Sequence, residues 1–377
     1  GGALALTTTT DSIKPQEYIT AVPTAYDISG STFVNNSAKD GGAILAAFSS
    51  IAIHNSTFTE NTALDRGGAV FLQASEGGSF ARVGNVTFKT NDAFRGGAFM
   101  VDLVEAGVME LHDVVINDNK AMSAAAGAYV QYRVPRRSVN EYEYTRPYDN
   151  GGVVYARVPG DEMVPASYLL KDRKPFRMVN AVITDNVCQQ QSDVEPAHGG
   201  GIFFYPYYYA VTTPTAGDEN PVSVDTSCAF DADQTDDLTY VAHIEGSRLE
   251  GNTAKYGAGG CIALAERTSL KLHDTTIRNC SARSGGGIAV MDAAYVRVSQ
   301  SVVDVCTATV SGGAAYGESN SMMSFDGTNI TNCTADALGG GVALDVNATA
   351  GMTSTRIHEC EARQGGGIFS SGAGAAS

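Results

Sequence analysis

The 377-residue chain reads as an all-β solenoid, a parallel β-helix of about ten coils with two long lateral insertions. Three observations predict this: a phrase that recurs at intervals of about 27 residues, short alternating segments between its copies, and 42 glycines. A period in the twenties with short alternating segments and no sustained 3.6-residue rhythm excludes helical repeats, and the LxxLxL signature of leucine-rich repeats is missing.

The phrase is an apolar residue, Asn or Cys three positions later, then Gly-Gly and a small aliphatic. It stands as FVNNSAKDGGAIL, FTENTALDRGGAVFL and FKTNDAFRGGAFM, and much later as IRNCSARSGGGIAV, VDVCTATVSGGAAY, ITNCTADALGGGVAL and IHECEARQGGGIFS. Its fourth residue serves as a register mark, at Asn36, Asn61, Asn91, Asn119, Asn186, Asn252, Cys280, Cys306, Cys333 and Cys360. Successive steps are 25, 30, 28, 67, 66, 28, 26, 27 and 27 residues, so two coils carry insertions of roughly 40 residues. Segments such as STFTE, GAVFLQ and SFARV read as strands broken by Gly, Asn, Asp and Ser. Three strands and three turns per unit predict a triangular coil. Ten coils stacked at ~4.8 Å predict a rod on the order of 50 Å long. In such a stack a buried Asn at a turn bonds its amide to the coils above and below. The Gly pair supplies positive φ and a close backbone approach before the next strand.

Composition bounds the function. With 43% hydrophobic and 18% charged residues the chain buries a core, and it contains no apolar run long enough for a membrane-spanning helix. No membrane insertion is expected within these residues. A net charge of −16 and a pI near 4.7 argue against nucleic acid as partner. The acidic balance reads as a solvated surface. Both ends fall at one phase of the repeat, so 1–377 reads as a single β-helix domain cut from a longer polypeptide.

The pairing of FxxN with GGA[ILV] resembles the repeat of the polymorphic outer-membrane proteins, found in bacterial surface adhesins and some eukaryotic secreted proteins. More broadly it is similar to right-handed parallel β-helices of the pectin-lyase-like superfamily. FVNN with GGAI, FTEN with GGAV and FKTN with GGAF match most closely. INDN, ITDN and LEGN keep the Asn, and IRNC, VDVC, ITNC and IHEC replace it by Cys. The resemblance implies a right-handed coil and an extracellular passenger serving adhesion, a surface coat or an appendage.

Cys280, Cys306, Cys333 and Cys360 stand one per coil. Stacked positions lie about 4.8 Å apart, inside the Cα range that a disulfide accepts. The expected bridges are Cys280–Cys306 and Cys333–Cys360. A shifted Cys306–Cys333 bridge and a ladder of reduced thiols are the alternatives. Cys188 and Cys228 flank or occupy the second insertion and suggest a bridge closing it, which leaves Cys261 as the free thiol. Seven sequons, at Asn35, Asn55, Asn85, Asn279, Asn329, Asn332 and Asn347, offer acceptors for N-linked glycans in a secreted chain.

The first insertion, 131–178, holds nine Lys or Arg, six Asp or Glu and six Tyr; the second, 203–240, holds FFYPYYY, seven acidic residues and no Lys or Arg. They read either as a lateral subdomain packed on itself or as a contact surface, with Arg136, Arg137, Tyr142, Tyr144, Tyr207, Tyr208 and Tyr209 as interface residues. The expected partners are copies of the chain or other filament or coat proteins.

Catalytic patterns are sparse. The polysaccharide-enzyme motifs NTD, DD, GHG and RIK do not occur as a set. His198 reads as a variant corner, and His54, His112 and His273 as exposed turn residues. Asp231, Asp233, Asp236 and Asp237 form the one cluster to consider for Ca²⁺. No cofactor and no enzymatic activity are expected. The reading is an extracellular structural protein, the subunit of a surface filament, mastigoneme-like flagellar hair or coat. The alternatives are an adhesin acting through the insertions and a polysaccharide lyase or hydrolase.

Overall fold

A computed structural model of the chain describes residues 2–7, 25–47, 49–73, 80–104, 108–136, 155–157, 163–165, 176–189, 198–210, 242–266 and 268–371. Among them there is no helix. Each coil lays one strand on each of four parallel sheets, here lettered A to D in the order the chain visits them. In one coil these are Ile44–Ala47, Ser50–His54, Thr57–Thr59 and Thr62–Arg66. Sheet A has eleven strands and sheets B, C and D ten each. The ten stacked rungs therefore make about nine turns between the first and the last.

Four strands per coil replace the three expected from sequence. The difference lies at the register mark, where the chain turns once more. The segment STFTE and the segment after its Asn are separate strands on either side of a corner, not one side of a triangle.

Alternation along each short strand sends every second residue into the lumen. On sheet C the apolar residue three before the mark forms one continuous inner column. Phe33, Phe58 and Phe88 stack at 4.8 and 5.0 Å between ring centroids. Ile116, Ile183, Leu249, Ile277, Val303, Ile330 and Ile357 continue the column in register. On sheet D the inner column is alanine, from Ala38 to Ala362, with one exception: Cys188 stands between Ala121 and Ala254.

A second apolar cluster lies outside the lumen. Val70 and Leu72 point inward, whereas Phe71 between them joins Met100, Tyr129 and Phe203 on the outer side of sheet A. The end of sheet D contributes Ala124 and Ala258 to this cluster, and the Arg66 guanidinium sits 4.3 Å above the Phe71 ring.

Both insertions leave from the same place. Sheet A strands are three to six residues long except Ala128–Arg136 and Ile202–Ala210, of nine residues each, on adjacent coils. The chain returns on sheet B at Phe176–Val179 and Ala242–Glu245. Residues 131–136 and 203–210 thus belong to strands of the solenoid, and 176–178 have already rejoined it. Inside the first insertion Tyr155–Arg157 pairs antiparallel with Met163–Pro165.

Candidate interaction surface and the columns that position it

Three corners with left-handed backbone organise each coil. The residue six before the mark has φ of 47–58° in all ten coils, and the residue one before it has φ of 53–67°. The third is the Gly pair between sheets D and A, whose place Ala125 (φ 44°) and Ala126 take in one coil. At Gly67, with φ of +64°, a Cβ would lie 2.2 Å from the Val70 carbonyl oxygen. At Gly68 it would lie 2.0 Å from the carbonyl oxygen of Gly97 in the next coil. The first Gly answers a conformational demand and the second a demand for space.

The marks themselves point inward. Asn61, Asn91, Asn119, Asn186 and Asn252 are fully buried. Each amide oxygen accepts from the backbone N–H and the side-chain amide of the preceding mark. Asn91 Oδ1 takes both from Asn61, at 2.9 and 3.0 Å, and Asn119 Oδ1 takes both from Asn91, at 2.9 Å each. Each Nδ2 also donates to a sheet C carbonyl of the preceding coil, as Asn91 does to Phe58 at 3.1 Å and Asn119 to Phe88 at 3.1 Å. One side chain thereby ties three coils together with no buried polar atom left over. A lesser column at the corner before sheet C escaped notice in the sequence. There the hydroxyls of Ser56, Ser247 and Ser301 accept the N–H groups of Ser31, Ala181 and Thr275, each at 3.1 Å. The recurrence of Ser or Thr five before the mark was its available signal.

The cysteines differ from expectation. The bridge joins Cys261 to Cys280, with Cα atoms 5.6 Å apart, while Cys306, Cys333 and Cys360 carry free thiols. Cys261, expected to be free, is bridged, and the expected bridges Cys280–Cys306 and Cys333–Cys360 are not the ones formed. Stacked marks project their side chains side by side, parallel to one another. Cys261 occupies the small-residue position after the Gly pair, a column that faces the marks: a Cβ on the equivalent Gly201 would lie 3.4 Å from Asn252 Cγ. The Cys261 and Cys280 side chains therefore converge. Where the Asn column ends, Asn252 Nδ2 donates to Cys261 Sγ at 3.3 Å.

Cys188 is likewise a free thiol, fully buried against Ala121 and Ala126 in the alanine column. Burial pushes its thiol up to about 12. It faces the interior and not the insertion, so it makes no bridge to Cys228, which lies outside the described residues.

The sequons sit on the outside. All seven Asn are exposed. Asn35, Asn279 and Asn332 occupy the corner one before the mark, Asn55 and Asn85 the corner six before it, and Asn347 a corner between sheets A and B, each with φ of 49–59°. Asn329 opens a strand on sheet C. The Ser or Thr two residues after each corner Asn is the first residue of the following strand.

Of the expected interface residues, the structure brings two groups together. Ala128–Arg136 and Ile202–Ala210 pair in parallel along their whole length. Arg133, Val134, Pro135 and Arg136 thus lie beside Tyr207, Tyr208, Tyr209 and Ala210 in a ribbon that runs past the coil. Arg137, Tyr142 and Tyr144 lie outside the described residues. At the root of the ribbon Tyr129 and Phe203 stack at 5.5 Å, and the Tyr205 hydroxyl donates to Glu266 Oε1 at 3.1 Å.

Charged groups are arranged between coils. Arg66 holds Asp40 through Nε and Nη2 at 2.8 and 3.0 Å, which keeps that carboxyl below the usual range. Arg278 reaches Asp304 at 3.2 Å. Burial raises the Asp185 carboxyl, and the neighbouring Asp118 and Glu250 add to the effect. Burial also pushes His198 down to about 4, with Nδ1 accepting from the Ala258 N–H at 3.1 Å. His54, His112 and His273 end strands of sheet B and are half-buried, not turn residues. Among the described residues no three His, Cys, Asp or Glu side chains converge as a metal site. Asp231, Asp233, Asp236 and Asp237 lie outside them.

Residues 30–47 and 55–73 match the model of the Chlamydia polymorphic membrane protein repeat, and residues 240–376 match a right-handed beta helix region. The chain is a right-handed parallel β-solenoid bearing repeats of the polymorphic-membrane-protein type. Such repeats suggest a surface-exposed, outer-membrane-associated protein. No curated protein matches the chain. No solved structure does so either. Among the described residues no helix is long and apolar enough to cross a membrane, which says nothing of a β-barrel.

Proposed function

We propose that the chain is a non-catalytic, extracellular structural module: a β-helical subunit of a surface filament, flagellar hair or coat. One observation carries this reading. Parallel strand ladders on four sheets and the inner apolar columns link every rung to the next, so that the molecule resists bending and pulling along its axis. The buried amides of the marks are used up in joining coils. Exposed corner sequons would carry N-linked glycans on the outer edges, and copies of the chain or other coat proteins would be the natural partners. Electron microscopy of native material tests this: regularly repeating fibres or a lattice support it, and dispersed monomers oppose it.

A second reading, an adhesin, is favoured by the ribbon of Ala128–Arg136 with Ile202–Ala210, which sets Tyr207–Tyr209 beside a basic strand end. Replacing Arg136 and Arg137 by Glu separates the two. Loss of assembly with an unchanged circular dichroism spectrum places the ribbon in the filament contact. Unchanged assembly with lost glycan or protein binding by the monomer supports the adhesin.

A further inference from the structure

Five cysteines follow one another along the inside of the last four coils, and only two of them are joined. Cys280 has two neighbours able to bridge it. One is Cys261, its present partner. The other is Cys306, one rung on in the mark column. The strands flanking that step pair in register, Arg278 with Asp304 and Ser281 with Thr307, and the Thr307 N–H donates to the Cys280 carbonyl at 2.9 Å. Stacked marks lie about 4.8 Å apart, within the Cα range that a disulfide spans. Farther along, the thiol of Cys333 interacts electrostatically with those of Cys306 and Cys360, its two neighbours in this column.

We propose that the bridge is mobile along this column: Cys306 displaces Cys261 from Cys280, moving the cross-link from within one coil to between two successive coils. The Cys306 thiolate attacks Cys280 Sγ. The Sγ–Sγ bond to Cys306 forms as the bond to Cys261 breaks. The electron pair leaves on Cys261, which takes up the proton that Cys306 released. No electrons are gained or lost, and no external oxidant is needed. The same step repeated by Cys333 and then Cys360 carries the bridge outward by one rung each time. With the bridge at Cys261 the coils can separate along the axis without breaking a covalent bond. With it at Cys306 they cannot. The inference does not depend on the rod being a filament subunit.

Attack requires a thiolate. A thiol is only in small part thiolate at neutral pH, so exchange is slow at pH 7 and accelerates as the pH rises. The test uses the full chain, held without oxygen at pH 7 and pH 9, then acid-quenched, alkylated in denaturant and peptide-mapped by mass spectrometry. The expected result is Cys280–Cys306 peptides appearing at the expense of Cys261–Cys280, roughly tens of times faster at pH 9 than at pH 7. Cys306→Ser should abolish that species and leave Cys261–Cys280 in place. Cys261→Ser, reoxidised with glutathione disulfide, should bridge Cys280 to Cys306. An unchanging Cys261–Cys280 map after prolonged incubation at pH 9 overturns the proposal. So does a folded Cys261→Ser protein whose Cys280 stays fully alkylatable. Should that variant not fold, the wild-type map at pH 9 decides alone.

Discussion

The first six coils and the last four solve one backbone problem with different side chains. At every mark the chain turns between sheets C and D and leaves a buried N–H facing the next coil. From Asn36 to Asn186 the next Asn Oδ1 accepts it, and the same amide makes further bonds, as Asn119 does with Asn117, Phe88 and Asn186 at 2.9–3.1 Å. In the last coils sulfur takes over. The Cys306 N–H donates to Cys333, and that of Cys333 to Cys360. The Cys333 thiol donates to the Thr331 and Val303 carbonyls at 3.1 and 3.8 Å. Sulfur is a weak donor and acceptor but packs as a hydrophobe, and Cys280, Cys306 and Cys333 join the main apolar cluster. Amide marks hold coils by directional bonds; thiol marks hold them by packing and weaker bonds.

That contrast breaks most visibly at Asn119→Leu. The change removes the acceptor of two Asn91 donors and the donor to three oxygens, leaving several buried polar groups without partners. At about 1–3 kcal/mol per orphaned group after partial relaxation, the loss should be on the order of 4 kcal/mol in urea unfolding. A change below about 1 kcal/mol would show that the amide column is not what holds these coils. The matching change in the other region, Cys333→Ala, deletes one buried sulfur and weak bonds. It should cost about 1–2 kcal/mol by the same measurement. Equal effects from the two substitutions would erase the distinction.

A smaller test uses pH. Burial, with Asp292 and Asp345 nearby, raises the Glu318 carboxyl above its ordinary 4.5. A raised folded-state value means that the protonated form favours folding, fully below the unfolded value and progressively less as pH rises through the folded one. Glu318→Gln should therefore slightly raise the melting temperature at pH 7, with the gain vanishing below about pH 4.5. At the other end Asp40, held low by Arg66, acts in the opposite sense: its contribution is present above 3.8 and fades as pH falls through its lowered value. A gain from Glu318→Gln that persists at pH 3 would remove the charge argument.

Much of this was legible because a solenoid writes one coil ten times. The repeat gave the marks, the inner apolar column and the glycine corners, each tied to a backbone requirement that a single residue type satisfies. What it hid were relations across the lumen. Cys261 carries no sign in sequence that its column faces the marks, so stacking distance alone favoured Cys280 with Cys306. Cys188 looked like half of a loop bridge because its neighbours in the alanine column are 67 and 66 residues away. The extra corner was hidden for a different reason: strands of three residues are too short for alternation to reveal where one sheet ends and the next begins. FFYPYYY read as insertion because it is aromatic throughout, yet Phe204 fills the lumen and Phe203 the outer cluster.

The left-handed corners change how glycan occupancy has to be tested. Asn is favoured there by backbone conformation alone, and the next strand often opens with Thr or Ser, so the acceptor tripeptide arises from geometry whether or not a sugar is attached. Exchanging Asn55 or Asn85 for Gln would remove the acceptor and burden the corner together, confusing lost sugar with lost stability. Changing Thr57 or Thr87 to Val silences the acceptor, preserves the strand, and leaves the corner as it was.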